Sequence, residues 1–213
     1  YKGIIINKSE LRLYYFPEEN NPQKVLTFPI AIGKTGFDTP LGTTKVRYKQ
    51  KNPTWTPPNS IRALNPDLPD VVPPGPDNPL GSFAIYLGWN GILIHGTNNP
   101  KSIGTYGSHG CIRMYPEDIK KLFNTIPIGT LVKVIDEPVK IGWLNGKLYL
   151  KASPTKEQKH QIESYGFIVS NPEVDKIRNN LEEFAQKNFL KLKWDVIDEI
   201  LNQYDGVANI ISE

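Results

Sequence analysis

Apolar positions run through this chain in two patterns. Over roughly the first 150 residues they come in short runs, alternating or β-branched, separated by turn residues; beyond that they fall at helical spacing. Ile4-Ile5-Ile6 and the alternating Leu11-Arg12-Leu13-Tyr14-Tyr15, split by the polar Asn7-Lys8-Ser9-Glu10, predict two strands within 3–15. Further strands are predicted over 25–32, 43–49, 82–87, 91–94 and 129–135. Asn90-Gly91 and Asn145-Gly146 are hairpin turns, the second within 139–150. Pro116 followed by Glu117 and Asp118 opens a short helix over 116–123, with acids at its positive end. Over 153–213 the pattern turns helical. Val174, Ile177, Leu181 and Phe184 make one stripe behind an expected Asn171 N-cap and Pro172; Trp194, Ile197, Ile200, Leu201 and Tyr204 make another. The expected architecture is mainly β, with one domain over 1–152 and a helical extension over 153–213.

Two stretches fit neither pattern. The loop over 33–42 is rich in glycine and turns, yet it lacks the order of a phosphate-binding loop and no helix pattern follows. Residues 51–79 hold nine of the nineteen prolines, which deny that stretch regular ladders. Trp55 and interleaved Ile and Val argue that it is ordered, either as a stiff cover on the core or as one wall of a groove.

Composition narrows the chemistry. With 25 basic and 22 acidic residues the net charge is +3, and the charges are mixed, so no nucleic-acid footprint is expected. No apolar run reaches the length of a membrane span. The chain opens on Tyr1, which reads as a processed start, so the lack of a leader does not bear on export. One cysteine cannot form an internal disulfide, and an exported protein that keeps it has a use for it.

That cysteine lies in Gly107-Ser108-His109-Gly110-Cys111-Ile112-Arg113, and a second histidine, His95, ends the apolar run Ile92-Leu93-Ile94. The third histidine, His160, sits in the helical tail and reads as a solvated surface residue. An imidazole beside a thiol makes a nucleophile. Gly110 lets the backbone approach a substrate, and the amides of Gly110 and Cys111 can donate to an oxyanion. Three other readings compete: a small buried cysteine, structural histidines, or zinc on His95, His109 and Cys111. The first lacks an apolar surround, and the last lacks a standard ligand spacing. No metal or cofactor is expected.

His95-Gly96-Thr97 and Ser108-His109-Gly110-Cys111-Ile112-Arg113 resemble the signature of the L,D-transpeptidase catalytic domain, the YkuD-type fold. Thr39-Pro40-Leu41-Gly42, Asn52-Pro53-Thr54-Trp55-Thr56-Pro57 and Pro74-Gly75-Pro76-Asp77-Asn78-Pro79-Leu80-Gly81 resemble the branch that anchors Braun-type lipoprotein to peptidoglycan. The resemblance covers about 3–150 and implies a β-sandwich with one short helix. It implies a periplasmic enzyme whose partners are peptidoglycan stem peptides and an amine acceptor, either a second stem or a lysine of an outer-membrane lipoprotein or other envelope protein. Cys111 is then the nucleophile, His95 the base, and His109 orders the thiol. Some relatives orient the base with a serine; Gly96 holds that position here, so a backbone carbonyl takes the role. Arg113 binds a substrate carboxylate or makes a structural salt bridge. Ser108 orders the loop, and Trp55, Gly96 and Gly110 line the site. Water as acceptor gives an L,D-carboxypeptidase or amidase instead, and a motif without turnover gives a wall-binding module.

Overall fold

The computed structural model describes residues 2–17, 24–169 and 171–213. The chain forms two compact units, Tyr1–Ile135 and Asp136–Glu213.

The first unit is built from β1 (Gly3–Asn7), β2 (Arg12–Phe16), β3 (Leu26–Gly33), β4 (Gly42–Lys51), β5 (Phe83–Leu87), β6 (Leu93–His95), β7 (Tyr106–Ser108), β8 (Ile112–Met114) and β9 (Leu131–Ile135). One turn of helix, α1 (Asn59–Arg62), lies in the proline-rich loop, and α2 (Pro116–Thr125) is the helix that the sequence predicts. Two long strands close the fold. The first half of β3 pairs with β2 and its second half with β8. Likewise β4 pairs with β9 up to Lys45 and with β5 from Val46 onward, and a register shift between Val46 and Tyr48 marks the change of sheet. The result is a sandwich of β3–β2–β1–β9–β4 against β4–β5–β6–β8–β3, joined at both edges.

Alternation fills its middle. Ile4, Ile6, Leu13, Ile85, Ile94 and Ile112 turn inward and are fully buried. The helix α2 adds Ile119 and Leu122 to that core. Lys49 finishes the helix: its Nζ donates to the carbonyls of Phe123 at 2.7 Å and Ile126 at 2.8 Å, where the helix dipole favours a cation.

The proline-rich loop is ordered by a few polar anchors. Trp55 and Val72 exchange backbone hydrogen bonds of 2.9 and 2.8 Å. Arg62 pairs with Asp70 at 2.9 Å. Asn78 is fully buried; its Nδ2 donates to the carbonyls of Pro53 at 2.8 Å and of Val72 and Pro73 at 3.2 Å. Its Oδ1 accepts from the Leu80 amide at 2.9 Å. Prolines bring carbonyls without donors, so a side-chain amide has to supply them. Asn78→Ala leaves these groups buried and unpaired, and is expected to cost about 2 kcal/mol. The check is the denaturant midpoint; an unchanged midpoint would show that the loop holds itself without Asn78.

The second unit pairs β10 (Val139–Leu144), β11 (Lys147–Ala152) and β12 (Ala208–Ile210) into one sheet and adds α3 (Lys156–Tyr165), α4 (Val174–Lys187) and α5 (Trp194–Gln203). Leu148, Leu150 and Ala152 of β11 share a core with Leu181, Ile197 and Leu201. Three sequence expectations change here. The hairpin β10–β11 belongs to this core, so the structural boundary precedes it and does not follow residue 152. Asn171 does not cap α4: its Nδ2 donates to the Tyr204 hydroxyl at 2.7 Å, and the helix starts behind Glu173. The tail after α5 folds back as β12 instead of continuing the helical pattern. The helix α3 starts with a full capping box between Thr155 and Gln158. Among the described residues no helix is long and apolar enough to cross a membrane.

Candidate active site

Strands β6 and β8 are parallel neighbours, with Ile94 opposite Ile112 and His95 opposite Arg113. The two isoleucines are fully buried in the core. The period of two therefore turns Leu93, His95, Cys111 and Arg113 to the other face of the sheet. On β5, Ala84 stands opposite His95 and Tyr86 opposite Leu93. On β4, Gln50 stands opposite Ala84 and Tyr48 opposite Tyr86. Two rows thus cross the face, one running from Tyr48 to Cys111 and the other from Gln50 to Arg113. They border a cleft of about 370 Å³ that also takes in Ser108 and His109 and whose far side is the proline-rich loop, with Trp55, Pro58, Ile61, Pro79 and Leu80. The structure thus makes that loop a wall of the cleft.

His95 is 4% exposed, and its Nδ1 lies 2.7 Å from the Gly96 carbonyl. A carbonyl only accepts, so Nδ1 carries the proton and Nε2 keeps its lone pair. The carbonyl that orients His95 is that of the next residue. Burial, and secondarily the Arg113 charge, push the imidazole pKa down to about 4 against the pull of that hydrogen bond. A side chain at Gly96 would crowd the Leu80 carbonyl at 3.2 Å and Ile119 at 3.3 Å.

Cys111 is half-buried, and its Sγ donates to the Gly91 carbonyl at 3.3 Å. Burial raises the thiol pKa, while a backbone hydrogen bond from Leu93 and the Arg113 charge lower it. Both members of the pair are therefore held towards their neutral forms.

The turn that carries the cysteine is fixed from both sides. The Ser108 hydroxyl donates to the Cys111 carbonyl at 2.5 Å. The Gly110 carbonyl accepts from the Thr39 hydroxyl at 2.9 Å, and that hydroxyl accepts from the Gly33 amide at 3.0 Å. Gly110 has φ +99°, and an added Cβ would press on Ile92 at 3.3 Å. Among the described residues the amides of His109, Gly110 and Cys111 have no hydrogen-bond acceptor. Thr39, Asn78 and Gly91 are parts of the site that residue chemistry alone did not single out. Their only signal was that Thr39 and Asn78 fall in the stretches that flank the motif.

His109 sits edge-on to Phe37, with centroids 4.5 Å apart, and its buried Nε2 has no partner among the described residues. Burial, then Lys34 and Arg113, lower its pKa. Arg113 is half-buried, and its guanidinium makes no ion pair or hydrogen bond among the described residues. His160 lies on α3, exposed, 3.9 Å from Glu163. Among the described residues no group of three or more His, Cys, Asp or Glu could hold a metal ion.

Residues 1–135 match the YkuD family, described as the L,D-transpeptidase catalytic domain. The chain is 51% identical over 145 residues to the probable L,D-transpeptidase YbiS of Escherichia coli K12, covering 66% of this chain and 46% of that protein. It is 50% identical over 144 residues to the probable L,D-transpeptidase ErfK/SrfK of the same strain, covering 65% and 46%. The chain thus spans about half the length of these relatives. Among solved structures, a cysteine-to-serine mutant of Enterococcus faecium L,D-transpeptidase superposes with TM-score 0.50 at 26% identity, over 63% of this chain and 49% of that one. The Ldtfm–avibactam carbamoyl enzyme gives 0.51 at 26% identity, over 64% and 49%. The outward-facing Cys111, His95 and Arg113 lie inside the matched region, and the chain belongs to the YkuD family of L,D-transpeptidase catalytic domains.

Proposed function

We propose that this chain is a periplasmic, cysteine-dependent L,D-transpeptidase acting on peptidoglycan tetrapeptide stems, with its catalytic residues in the first unit. One observation carries the reading: Cys111, His95 and Arg113 share one face of one cleft, with the acceptor nitrogen of His95 left free by its bond to Gly96.

The chemistry follows from the charges. Burial disfavours a thiolate–imidazolium pair in the free protein. The proton therefore leaves Sγ for His95 Nε2 as the C–S bond forms at the diaminopimelate L-centre carbonyl, and the Gly91 hydrogen bond is given up. The oxyanion is met by the amides of Gly110 and Cys111, which have no other acceptor among the described residues. Collapse breaks the amide bond, and His95 returns its proton to the departing D-alanine nitrogen. In the second half an amine attacks the thioester, His95 takes the amine proton, and Sγ leaves and is reprotonated. Arg113, a half-buried cation without an ion pair, supplies the site for a substrate carboxylate. His109 lines the cleft and orders the thiol, Ser108 and Thr39 hold the turn, and Trp55 closes the opposite wall. The acceptor is the diaminopimelate amine of a second stem or a lysine of an envelope protein; the flanking stretches favour an outer-membrane lipoprotein.

The test is intact-mass spectrometry of the protein incubated with disaccharide-tetrapeptide and a competing amine. The expected result is a transient adduct lacking D-alanine, then the stem on the amine. Tripeptide without amine product would make it a carboxypeptidase. A folded, reduced protein that forms no adduct would overturn the reading.

A further inference from the structure

Beside the cysteine, the outer face of the second sheet carries a feature that this chemistry does not use. Tyr48 and Tyr86 stack with ring centroids 4.0 Å apart and planes 13° from parallel. Tyr86 lines the cleft, while Tyr48 is 51% exposed outside it. The Tyr86 hydroxyl donates to Gln50 Oε1 at 3.2 Å, and the Gln50 amide nitrogen has no partner among the described residues. The pair ends the row that runs through Leu93 to Cys111. Neighbouring strands lie about 4.8 Å apart, so Tyr86 stands about 10 Å and Tyr48 about 14 Å from the nucleophile along the sheet.

We propose that Tyr48 and Tyr86, with Gln50, form a subsite for the sugar that bears the stem peptide. The inference rests on the transpeptidase reading and extends the same cleft. In a tetrapeptide stem three residues separate the sugar from the leaving D-alanine. Three residues span at most about 10 Å of extended chain. With the attacked carbonyl at Cys111 and the stem laid along the row, its sugar end arrives at the tyrosine pair. A pyranose offers an apolar C–H face to an aromatic ring and hydroxyls around its rim, and the pair presents an aromatic surface with phenol and amide groups at its edge. A cross-strand tyrosine pair also steadies a sheet. That role alone does not account for a pair in line with the nucleophile, with one ring in the cleft and the other exposed outside it.

The experiment compares second-order rates of Cys111 acylation by disaccharide-tetrapeptide and by free tetrapeptide, for the wild-type protein, Tyr48→Ser and Tyr48→Phe. The wild-type protein is expected to prefer the sugar-bearing donor about tenfold, equivalent to about 1.4 kcal/mol. Tyr48→Ser is expected to lose most of that preference, and Tyr48→Phe, which keeps the ring, to retain it. Equal wild-type rates, or a Tyr48→Ser defect that falls equally on both donors, would overturn the subsite and leave the transpeptidase intact. A defect confined to transfer from the thioester would assign the tyrosines to the acceptor, and would also overturn it. Acylation by neither donor would overturn the transpeptidase reading and this inference with it.

Discussion

Cys111→Ala is expected to abolish both adduct formation and D-alanine release, a loss of at least about 10⁴-fold, because no other thiol exists in the chain. The more informative variant is Cys111→Ser. A hydroxyl is a far weaker acid than a thiol and needs a stronger base to activate it. His95, with its pKa pushed down to about 4 by burial, is a poor base for that task. The serine variant should therefore be as inactive as alanine, not merely slow. Fold should survive in both, since among the described residues Sγ makes only the hydrogen bond to Gly91 and one to the Leu93 backbone. The measurement is adduct mass against time, with the denaturant midpoint as control. A serine ester at more than about one hundredth of the wild-type rate would mean that His95 is a stronger base than its burial implies.

How much of this could be read from the residues depends on range. The cysteine segment and the Asn-Gly hairpins are local, and each is written within a few positions. The strand that ends at His95 was also legible, but the short strand Ile112–Met114 behind the cysteine was not, and neither was their pairing, because three residues carry too little alternation to read and parallel strands are joined by long connections. The closing of the sandwich depends on β3 and β4 each serving two sheets, and nothing in a strand's own pattern states which neighbour it takes at each end. Thr39 acts on Gly110 across 71 positions and Asn78 on Pro53 across 25; polar side chains in loops carry no period that would reveal such partners. The hairpin β10–β11 alternates like the strands before it, and alternation does not say which core a strand joins, so the boundary falls earlier than its pattern suggests.

His95→Asn should keep the fold and lose the chemistry. The asparagine Nδ2 can replace imidazole Nδ1 as donor to the Gly96 carbonyl, but nothing then accepts the thiol proton. Acylation is expected to fall about 10³-fold. The wild-type rate should hold constant down to an acid limb near pH 4, where the buried imidazole finally protonates, and not near 6.5. The same burial sets the acid stability. The unfolded chain protonates this histidine as pH falls through about 6.5, while the folded protein resists until about 4. In that window the unfolded state binds more protons, so the stability contributed by neutral His95 is present above pH 6.5 and is lost as pH falls to 4. The full loss is about 3 kcal/mol. His95→Asn lacks this term, so between pH 7 and pH 4.5 the wild-type protein should lose about 2–3 kcal/mol more than the variant in denaturant unfolding. Equal losses, together with an acid limb near 6.5, would place an ordinarily solvated imidazole at the site and remove the reason for starting the reaction from a neutral pair.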